Sequence, residues 1–520
     1  MTMTLLRGGR IHTPAGPPAT ALLVDGDTVA WVGTDDAAAA ASPGRVVELA
    51  GALVTPAFVD AHVHATQNGL ALTGLDLGGA RSVAQALAAV EAHARGLRGR
   101  VVLGTGWDET RWPERRPPSP AELDRASYGG VVYLARVDHH SAVVSSALLA
   151  ACPEARGLAG YDDSGQLTLV AHHAVRRTAY ESITPAQRTA AQRACRKRAA
   201  ALGVGCLQEM AGPQISGGLA DLEALLRLAE AEPGPEVLAY WGELASRDEP
   251  AGLDTVALLG LAGAGGDLFC DGSIGSHTAA LGAPYADAPG TTGHLWHDVD
   301  AIAEHVAACT RAGVQAGFHA IGDRALRTVL DGVAQAAEVV GLGAVVAQRH
   351  RVEHAEMPPS VADFARFGLV ASVQPAFDAT WGGRDGMYAG RLGADRAAGL
   401  NPFASFASAG VPLALGSDAP VTPIDPWGGV RAAVHHRTPG AGISPAVAFA
   451  AATRGGWLAA RRGAGGAGLL RPGSPATYAI WDVAGLPPAG PDGLPGLDPG
   501  AALPACLRTV VRGVTIYERG

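Results

Sequence analysis

Residues 55–64 read TPAFVDAHVH, a short apolar run that ends in two histidines separated by one residue. In an extended strand alternate side chains point to the same face, so His62 and His64 can point together from the end of one strand. Two imidazoles placed in this way can bind one metal ion. Such a pair also arises by chance, so its meaning depends on the rest of the chain.

The stretch from residue 56 to residue 465 repeats one pattern, a short apolar strand followed by an alanine-rich amphipathic helix. We predict strands at 57–59, 101–103, 131–134, 314–318, 351–353, 370–373 and 412–415. Strands that alternate with helices over this length predict an α/β fold, a TIM-like (β/α)8 barrel. Reactive groups lie at the C-terminal ends of the strands in such a barrel, so the polar residues that follow the strands are the candidates.

Both ends of the chain have a different texture. Short strands separated by turns are predicted at 3–6, 21–24, 29–32, 46–49, 476–481 and 508–517, with a loop rich in proline and glycine at 485–499. We therefore expect residues 1–55 and 466–520 to form one small β-sandwich from both chain termini. Residues 56–465 would form the barrel, with a long insertion at about residues 107–247 that would cover the site.

Composition excludes several classes of protein. A net charge of −9 without a basic stripe argues against nucleic-acid binding. The start has no signal-peptide pattern and no run of about 18 apolar residues occurs, so we expect a soluble cytoplasmic protein with no membrane partner. The six cysteines form no CxxC pair and are expected to be reduced. A small molecule is the expected substrate, and a homodimer is a candidate assembly.

Three further side chains that can bind a metal ion follow predicted strands. His319, His354 and Asp418 each come just past an apolar run. With His62 and His64 they form a set of nitrogen and oxygen ligands suited to Zn²⁺ or a similar divalent ion. A single histidine of this kind is more often structural. It is the joint placement at strand ends that predicts a metal centre.

The chain resembles the amidohydrolase superfamily, in particular the amidohydrolase-3 group that contains YtcJ-like proteins and N-substituted formamide deformylases. The resemblance runs nearly from end to end. Besides the HxH pair it rests on GWD at 106–108, RVDHH at 136–140, DGSIGS at 271–276, TAAL at 278–281, HAIGD at 319–323, RVEHA at 351–355, SVQP at 372–375 and GSDAP at 416–420. It implies a TIM-like barrel with a terminal β-sandwich and metal-dependent hydrolysis of C–N bonds.

The resemblance also implies roles for individual residues. His62, His64 and Asp418 would hold a first metal ion, while His319 and His354 would hold or flank a second. A divalent cation lowers the pKa of its water ligand toward 7 and polarises a carbonyl group. Asp418 would act as general acid and base, taking a proton from that water and passing it to the leaving nitrogen. If one ion is bound, His354 would instead orient the water or the substrate oxygen.

One departure from the group concerns the metal bridge. Related chains commonly carry a lysine on the strand that leads into the DGSxG motif, and its carbamylated side chain bridges two metals. Asp267 occupies that position here, and the only lysine of the chain, Lys197, lies in a predicted helix. Three arrangements stay open: Asp267 ligates or bridges the metal, one ion is held by His62, His64, Asp418 and one further histidine, or Cys270 takes part.

The residues that would contact the substrate are less constrained. Arg136 and His140 match the substrate-contacting region of the group and could polarise a carbonyl or bind a carboxylate. The alternative for Arg136 is a structural salt bridge to a neighbour such as Asp138. The large apolar side chains that either line a substrate pocket or belong to the core are Trp107, Phe377, Trp381 and Met387.

The predicted activity is hydrolysis of an amide, formamide or cyclic amide. A mononuclear deaminase or a ring-opening hydrolase of a heterocycle is the nearest alternative. A lyase or isomerase that uses the metal as a Lewis acid stays open, as does a non-catalytic binding or regulatory descendant. Retention of all the ligand candidates argues against the descendant, because loss of function would be expected to strike them too.

Overall fold

The computed structural model describes residues 3–520 except 15, 17, 39–42, 98, 216, 247 and 486–492. Its centre is a sheet of eight strands, each paired in parallel with the next along the chain. These strands are β1 (Phe58–Val63), β2 (Val204–Ala211), β3 (Glu236–Trp241), β4 (Gly263–Ala264), β5 (Gln315–Ala320), β6 (Arg351–His354), β7 (Val370–Val373) and β8 (Leu413–Leu415). A parallel bridge between Val63 and Ala419 joins the two ends of the sheet. The predicted α/β barrel is therefore confirmed.

The barrel strands are covered on both faces. Every residue of β1, β2, β5 and β6 is buried. A parallel sheet requires such cover, because helices pack against its outer face while side chains fill its interior. The helix Asp323–Val340 shows how the sequence supplies the outer layer: its buried Leu326, Val329 and Val333 recur at spacings of three and four residues.

Helices and helical turns connect the barrel strands and surround them. In chain order they are Ala65–Thr73, Pro185–Ala201, Leu219–Ala231, Ala251–Leu259, Val299–Ala312, Asp323–Val340, Leu342–Gln348, Val361–Arg366, Pro375–Trp381, Met387–Leu392, Ala394–Ala397, Phe403–Ser408, Pro426–Val434, Pro445–Ala450, Ala451–Gly455, Gly456–Ala459 and Ala464–Gly466. Among the described residues, no helix combines the length and the apolar character needed to cross a membrane.

Two further sheets carry the chain ends. One has the strand order Thr28–Gly33, Ala21–Asp25, Thr4–Arg7, Arg45–Glu48, and the other Arg10–Ile11, Leu53–Pro56, Tyr478–Asp482, Ala505–Val511, Val514–Glu518. A short helix, Asp35–Ala38, follows the first hairpin. Leu22 and Val29 of the first sheet share an apolar core with Val54 and Ile480 of the second. The β-sandwich predicted from both termini is therefore present, although residues 486–492 of the predicted loop lie outside the described residues.

A fourth sheet corrects part of the sequence interpretation. Its strand order is Gln166–Thr168, Ser141–Val144, Val132–Arg136, Val102–Trp107, Leu75–Asp76, with the helical segments Val83–Leu97, Glu109–Arg111, Pro120–Ala126, Ser146–Ala151, Pro153–Gly157 and Leu169–Glu181 around it. We call this unit the inserted sheet. The strands predicted at 101–103 and 131–134 exist, but they pair with each other in this sheet and not in the barrel. The insertion thus begins after β1. β2 and β3 are barrel strands, although they fall within the insertion predicted at residues 107–247.

An apolar run does not specify which sheet its strand will join, and this explains the difference. Both the inserted sheet and the barrel contain parallel strands followed by helices. The domain limits of 1–55 with 466–520, and of 56–465, stay predictions.

Candidate metal centre

The C-terminal ends of the barrel strands bring together six side chains that can bind a metal ion. They come from β1, from the segment after β4, from β5, from β6 and from the segment after β8. Each is at most 6% exposed, and they are His62, His64, Asp267, His319, His354 and Asp418.

The segment that carries Asp267 departs from the predicted strand. β4 ends at Ala264, and the chain then turns through Gly265 and Gly266, whose φ angles are 122° and 72°. A Cβ atom at Gly265 would lie 2.1 Å from the backbone oxygen of Gly317. Only glycine permits this combination of backbone angle and close approach. The turn delivers Asp267 to the mouth of the barrel, at the position predicted for it.

Three of these side chains, His62, His64 and Asp418, have ligand atoms close enough to one another to bind a single ion, and Asp267 lies beside both histidines. Asp418 Oδ1 lies 3.4 Å from His62 Nε2 and 3.2 Å from His64 Nε2. The Asp267 carboxylate lies 3.8 Å from His62 Nε2 through Oδ1 and 3.5 Å from His64 Nε2 through Oδ2. A tetrahedral ion with bonds of about 2.0–2.1 Å separates its ligand atoms by about 3.4 Å. The two distances from Asp418 fit that arrangement, whereas Asp267 approaches the two histidines through different oxygen atoms.

His354 lies beside this group. Its Nε2 atom is 3.6 Å from Asp267 Oδ1. Two sets of ligand atoms, each within 4.8 Å of one another, are His62, His64 and Asp418, and His62, Asp267 and His354. Both sets use His62. Its Nε2 atom has one lone pair to give, so the two sets cannot both be complete around separate ions.

Two orphaned nitrogen atoms support a metal at this place. Within the described residues, Nε2 of His62 and Nε2 of His354 are buried and have no hydrogen-bond partner. A buried polar atom without a partner costs about 1–3 kcal/mol. A divalent ion would satisfy His62 Nε2, and that ion or a water molecule beside it would satisfy His354 Nε2, so the residues present fit the metal that the sequence predicts.

The opposite side of each imidazole explains why Nε2 faces the centre. His62 Nδ1 donates to Glu353 Oε2 at 2.9 Å, and His64 Nδ1 donates to the backbone oxygen of Met210 at 3.0 Å. His354 Nδ1 donates to the side-chain oxygen of Gln374 at 2.7 Å. A proton on Nδ1 leaves the lone pair on Nε2 free to bind a metal.

His319 is held differently. Its Nδ1 atom is 3.0 Å from Asp267 Oδ1, and its Nε2 atom is 3.1 Å from the backbone oxygen of Gly272. Both ring nitrogens thus have protein partners, and His319 belongs to neither set of ligand atoms. The structure places it as a support for Asp267, whereas the sequence predicts a ligand of the metal or a flanking residue.

The charges at the centre suit a cation. Burial raises the pKa of Asp267 and Asp418, but the neighbouring histidines outweigh it and lower both values, so both groups are ionised at neutral pH. Burial also raises the pKa of Glu353, but the Arg351 guanidinium outweighs this effect and lowers the pKa to about 2. Burial lowers the pKa of His140 to about 3, which keeps that imidazole neutral.

The backbone at two candidate ligands is strained. His354 and Asp418 have φ angles of 69° and 52°. The left-handed region costs a residue with a side chain about 1–2 kcal/mol, so other contacts must hold it there. The Asp418 N–H donates to the backbone oxygen of His62 at 2.8 Å. Asp60 accepts from the N–H and the hydroxyl of Ser417 at 2.8 and 2.6 Å, which fixes the residue next to Asp418.

Asp60, Glu353 and Gln374 are positioning residues that the sequence analysis did not single out. Each lies inside a motif that carries the resemblance. Asp60 and Glu353 are acidic residues close to candidate histidines, which is the available signal, but their partners come from distant parts of the chain. Glu353 and His62, for example, are 291 residues apart.

A pocket lies beside the metal centre. One side of it, which we call the apolar wall, consists of Ile274, Ile321, Phe377, Trp381, Met387 and Val421. The Phe377 ring lies nearly parallel to the imidazole of His354, with the two centroids 5.9 Å apart. The polar lining includes His140, Glu356 and Asp418. Phe377, Trp381, Met387 and His140 line this pocket, and Phe377 and Trp381 are also part of a buried apolar cluster, so contact with a substrate stays a prediction for all four.

Two predicted substrate contacts have other roles. Arg136 is fully buried and forms salt bridges of 2.8 Å with both Asp138 and Glu109, so it is the structural ion pair named as the alternative. Trp107 is fully buried in the core of the inserted sheet, where its Nε1 donates to the backbone oxygen of Leu134. An aromatic residue at the end of a strand cannot be assigned to pocket or core from sequence alone.

Two other residues lie outside the centre. Lys197 is exposed on the helix Pro185–Ala201, so no lysine reaches the metal ligands. Cys270 is buried but belongs to neither set of ligand atoms. Burial raises the pKa of its thiol well above the ordinary value, which keeps it protonated.

A closed parallel barrel with nitrogen and oxygen side chains at its strand ends defines the chain as an α/β-barrel protein with a candidate metal centre. The model of the amidohydrolase family matches residues 45–517. The chain belongs to the amidohydrolase family. The resemblance predicted from the sequence is therefore confirmed, and membership places the chain among metal-dependent hydrolases of C–N bonds.

Relatives at moderate identity support this placement. YtcJ of Bacillus subtilis (strain 168) is 26% identical over 419 residues, covering 75% of this chain and 74% of that protein. The protein LONG AFTER FAR-RED 3 of Arabidopsis thaliana is 28% identical over 419 residues, covering 76% and 70%. Among solved structures, an uncharacterised metal-dependent hydrolase from Pyrococcus furiosus has 27% identity and a TM-score of 0.70, covering 92% of this chain and 98% of that one.

Proposed function

We propose that the chain hydrolyses an amide, formamide or cyclic amide bond of a small molecule with one divalent metal ion. The observation that carries the proposal is the buried group of His62, His64, Asp267 and Asp418, in which four nitrogen–oxygen distances are 3.2–3.8 Å. The metal would be held by His62, His64, Asp267 and Asp418, with His354 at its side. When bound, a divalent ion polarises a carbonyl oxygen and lowers the pKa of a water molecule.

Asp418 is the proposed general acid and base. Its carboxylate is ionised, because the neighbouring histidines lower its pKa against the effect of burial. It lines the substrate pocket, so a water molecule that attacks the substrate there can pass its proton to Asp418. Asp418 then donates that proton to the nitrogen that leaves, which completes the cleavage of the C–N bond by addition of water.

His354 is proposed to orient the attacking water. Its Nδ1 proton is donated to Gln374, so Nε2 can accept a hydrogen bond but cannot give one. Burial lowers the pKa of His354 and keeps the ring neutral. Nε2 of the neutral ring would accept a hydrogen bond from the water. That contact would turn one proton of the water toward His354 and away from the substrate carbon.

A deaminase or a ring-opening hydrolase of a heterocycle is the second candidate. The fit of the ligands to one ion favours it, since mononuclear members of the superfamily resemble this arrangement. Both candidates add water across a C–N bond and share the same residue roles. Zinc as the ion, a cytoplasmic location, a homodimer and a small-molecule substrate stay predictions.

The proposal is tested with metal-replete protein and a broad panel of amides, formamides, lactams and amino-substituted heterocycles. Mass spectrometry should show a product that has gained the mass of water. Asp418→Asn should lower kcat by about 10²–10⁴-fold, because the carboxylate that carries the proton is lost. Glu304→Gln, an exposed change on the helix Val299–Ala312, is the control. Absence of turnover on the whole panel, together with an Asp418→Asn variant identical to wild type, would contradict the proposal.

A further inference from the structure

Glu356 lines the substrate pocket two residues beyond His354, and nothing in the proposed chemistry uses it. Its side chain is buried, with 1% exposed. The Tyr388 hydroxyl donates to Oε1 at 3.4 Å, and the Asn401 side-chain amide donates to Oε2 at 3.4 Å. Both distances are at the long limit of a hydrogen bond.

The acceptor capacity of Glu356 is therefore largely unused. A carboxylate offers about four lone-pair sites, and even a protonated carboxyl group keeps an acceptor oxygen. Within the described residues, the side-chain contacts of Glu356 are to neutral groups. Asp138 in the same pocket differs, because Arg136 and Ser273 donate to it at 2.8 and 2.7 Å.

The cation that lines the pocket is already neutralised. Arg136 donates to Asp138 at 2.8 Å, and to Glu109 at 2.8 and 3.2 Å. It is fully buried and cannot turn toward a ligand without breaking these ion pairs. An anionic substrate would therefore meet Glu356 and Asp418 without a free arginine or lysine side chain to receive it.

The apolar wall supplies the rest of the recognition surface. Phe377, Trp381 and Ile274 are 4%, 6% and 1% exposed, and they face the pocket that contains Glu356. Because Phe377 stacks on His354, the wall extends to the metal centre. A hydrocarbon group on the wall would place neighbouring polar atoms of the same molecule within reach of both the metal centre and Glu356.

We propose that Glu356 is a specificity residue that accepts a hydrogen bond from an N–H group of an uncharged substrate whose hydrocarbon part packs on the apolar wall. The inference rests on the proposed hydrolase function, because it names the substrate class of the same pocket. An N–H donor is the group that satisfies Glu356 in either protonation state. A carboxylate in its place would offer no N–H donor to Glu356 and would bring a negative charge beside Asp418.

Three small probes of similar shape test the proposal by calorimetric titration. Benzamide has an aromatic ring and N–H donors, N,N-dimethylbenzamide has the ring without a donor, and benzoate has the ring with a negative charge. Wild type should bind benzamide at least about tenfold more tightly than either of the other two probes. This comparison needs no variant, so it is independent of any effect of mutation on folding.

Glu356→Leu then assigns the preference to this side chain. Leucine offers no hydrogen-bond acceptor, so the variant should lose most of the preference for benzamide over N,N-dimethylbenzamide. Glu304→Gln, on an exposed helix face, should keep it. Thermal melting of each variant confirms that the compared proteins are folded.

Two results would overturn the inference. One is wild-type protein that fails to bind benzamide at millimolar concentration or binds the three probes equally. The other is a folded Glu356→Leu variant that keeps the preference for benzamide over N,N-dimethylbenzamide. Selective binding without hydrolysis on the amide panel would count against the proposed function and leave the role of Glu356 standing. Hydrolysis that is unchanged when Glu356 is substituted would support the proposed function and count against the role of Glu356.

Discussion

At the residue scale, the centre depends on which nitrogen of each histidine carries the proton. Glu353 fixes this choice for His62 through its contact with Nδ1 at 2.9 Å. Arg351 holds Glu353 in turn and also donates to the backbone oxygen of Ala61 at 2.8 Å. The Arg351 guanidinium lies 4.6 Å from the centre of the Tyr240 ring. This chain of contacts orients His62 from the interior of the barrel.

Glu353→Gln should weaken metal binding by about 10–100-fold. The glutamine removes the negative charge that keeps the proton of His62 on Nδ1. The lone pair of Nε2 is then less available to the metal. It also leaves the buried Arg351 without its ion pair. Competition between the protein and a chelator of known affinity measures the change. Glu304→Gln is the control, and equal metal affinity of wild type and Glu353→Gln would contradict the role given to Glu353.

At the scale of elements, the turn after β4 places Asp267. The strand is two residues long, and the two glycines that follow it have positive φ angles. After this turn the chain runs beside β5, where Phe269 and His319 form an isolated parallel bridge. The carboxylate thus reaches the centre because the backbone leaves the sheet early, which compensates for a side chain shorter than lysine.

Gly265→Ala should lower the free energy of unfolding by at least about 2 kcal/mol, through strain of the backbone and a clash with the oxygen of Gly317. Gly260→Ala is the matched control, because Gly260 also has a positive φ, 63°, but an added Cβ would meet nothing within 4 Å. That control should cost only about 1 kcal/mol. Urea unfolding of the three proteins measures both values. Equal losses for the two variants would show that the turn after β4 is not constrained as described.

The elements also show how far the sequence could predict the structure. The HxH pair, His354 and Asp418 follow strands directly, so their convergence could be inferred from strand order alone. Trp107 and Arg136 each end a strand, but both strands belong to the inserted sheet. An apolar run does not encode the strand with which it will pair. The role of Glu353 could not be predicted, because it depends on a contact with His62, which lies 291 residues away in the chain.

At the scale of the whole molecule, closure of the barrel and assembly of the centre use the same contacts. The Asp418 N–H donates to the backbone oxygen of His62, and the His64 N–H donates to that of Ala419, at 2.8 and 3.0 Å. The terminal β-sandwich supports this junction: Trp481 lies 5.6 Å from Phe58 of β1, measured between ring centroids. A metal bound by residues from both ends of the sheet would therefore stabilise the closed barrel.

Metal removal should accordingly lower Tm. A ligand that binds the folded state and not the unfolded state stabilises the protein by about 2.7 kcal/mol at a concentration one hundred times its Kd. Differential scanning calorimetry of chelator-treated protein, with and without restored Zn²⁺, measures the shift. Asp418→Asn should show a much smaller shift, since it loses a ligand. Identical Tm values for wild-type protein with and without metal would contradict this coupling.

The most direct test of the central claim is the anomalous diffraction of zinc-loaded crystals. We predict one zinc peak per chain, within about 2.2 Å of His62 Nε2, His64 Nε2 and one oxygen each of Asp267 and Asp418. Two fully occupied peaks, or one peak that Asp267 does not touch, would contradict the single-ion centre proposed here.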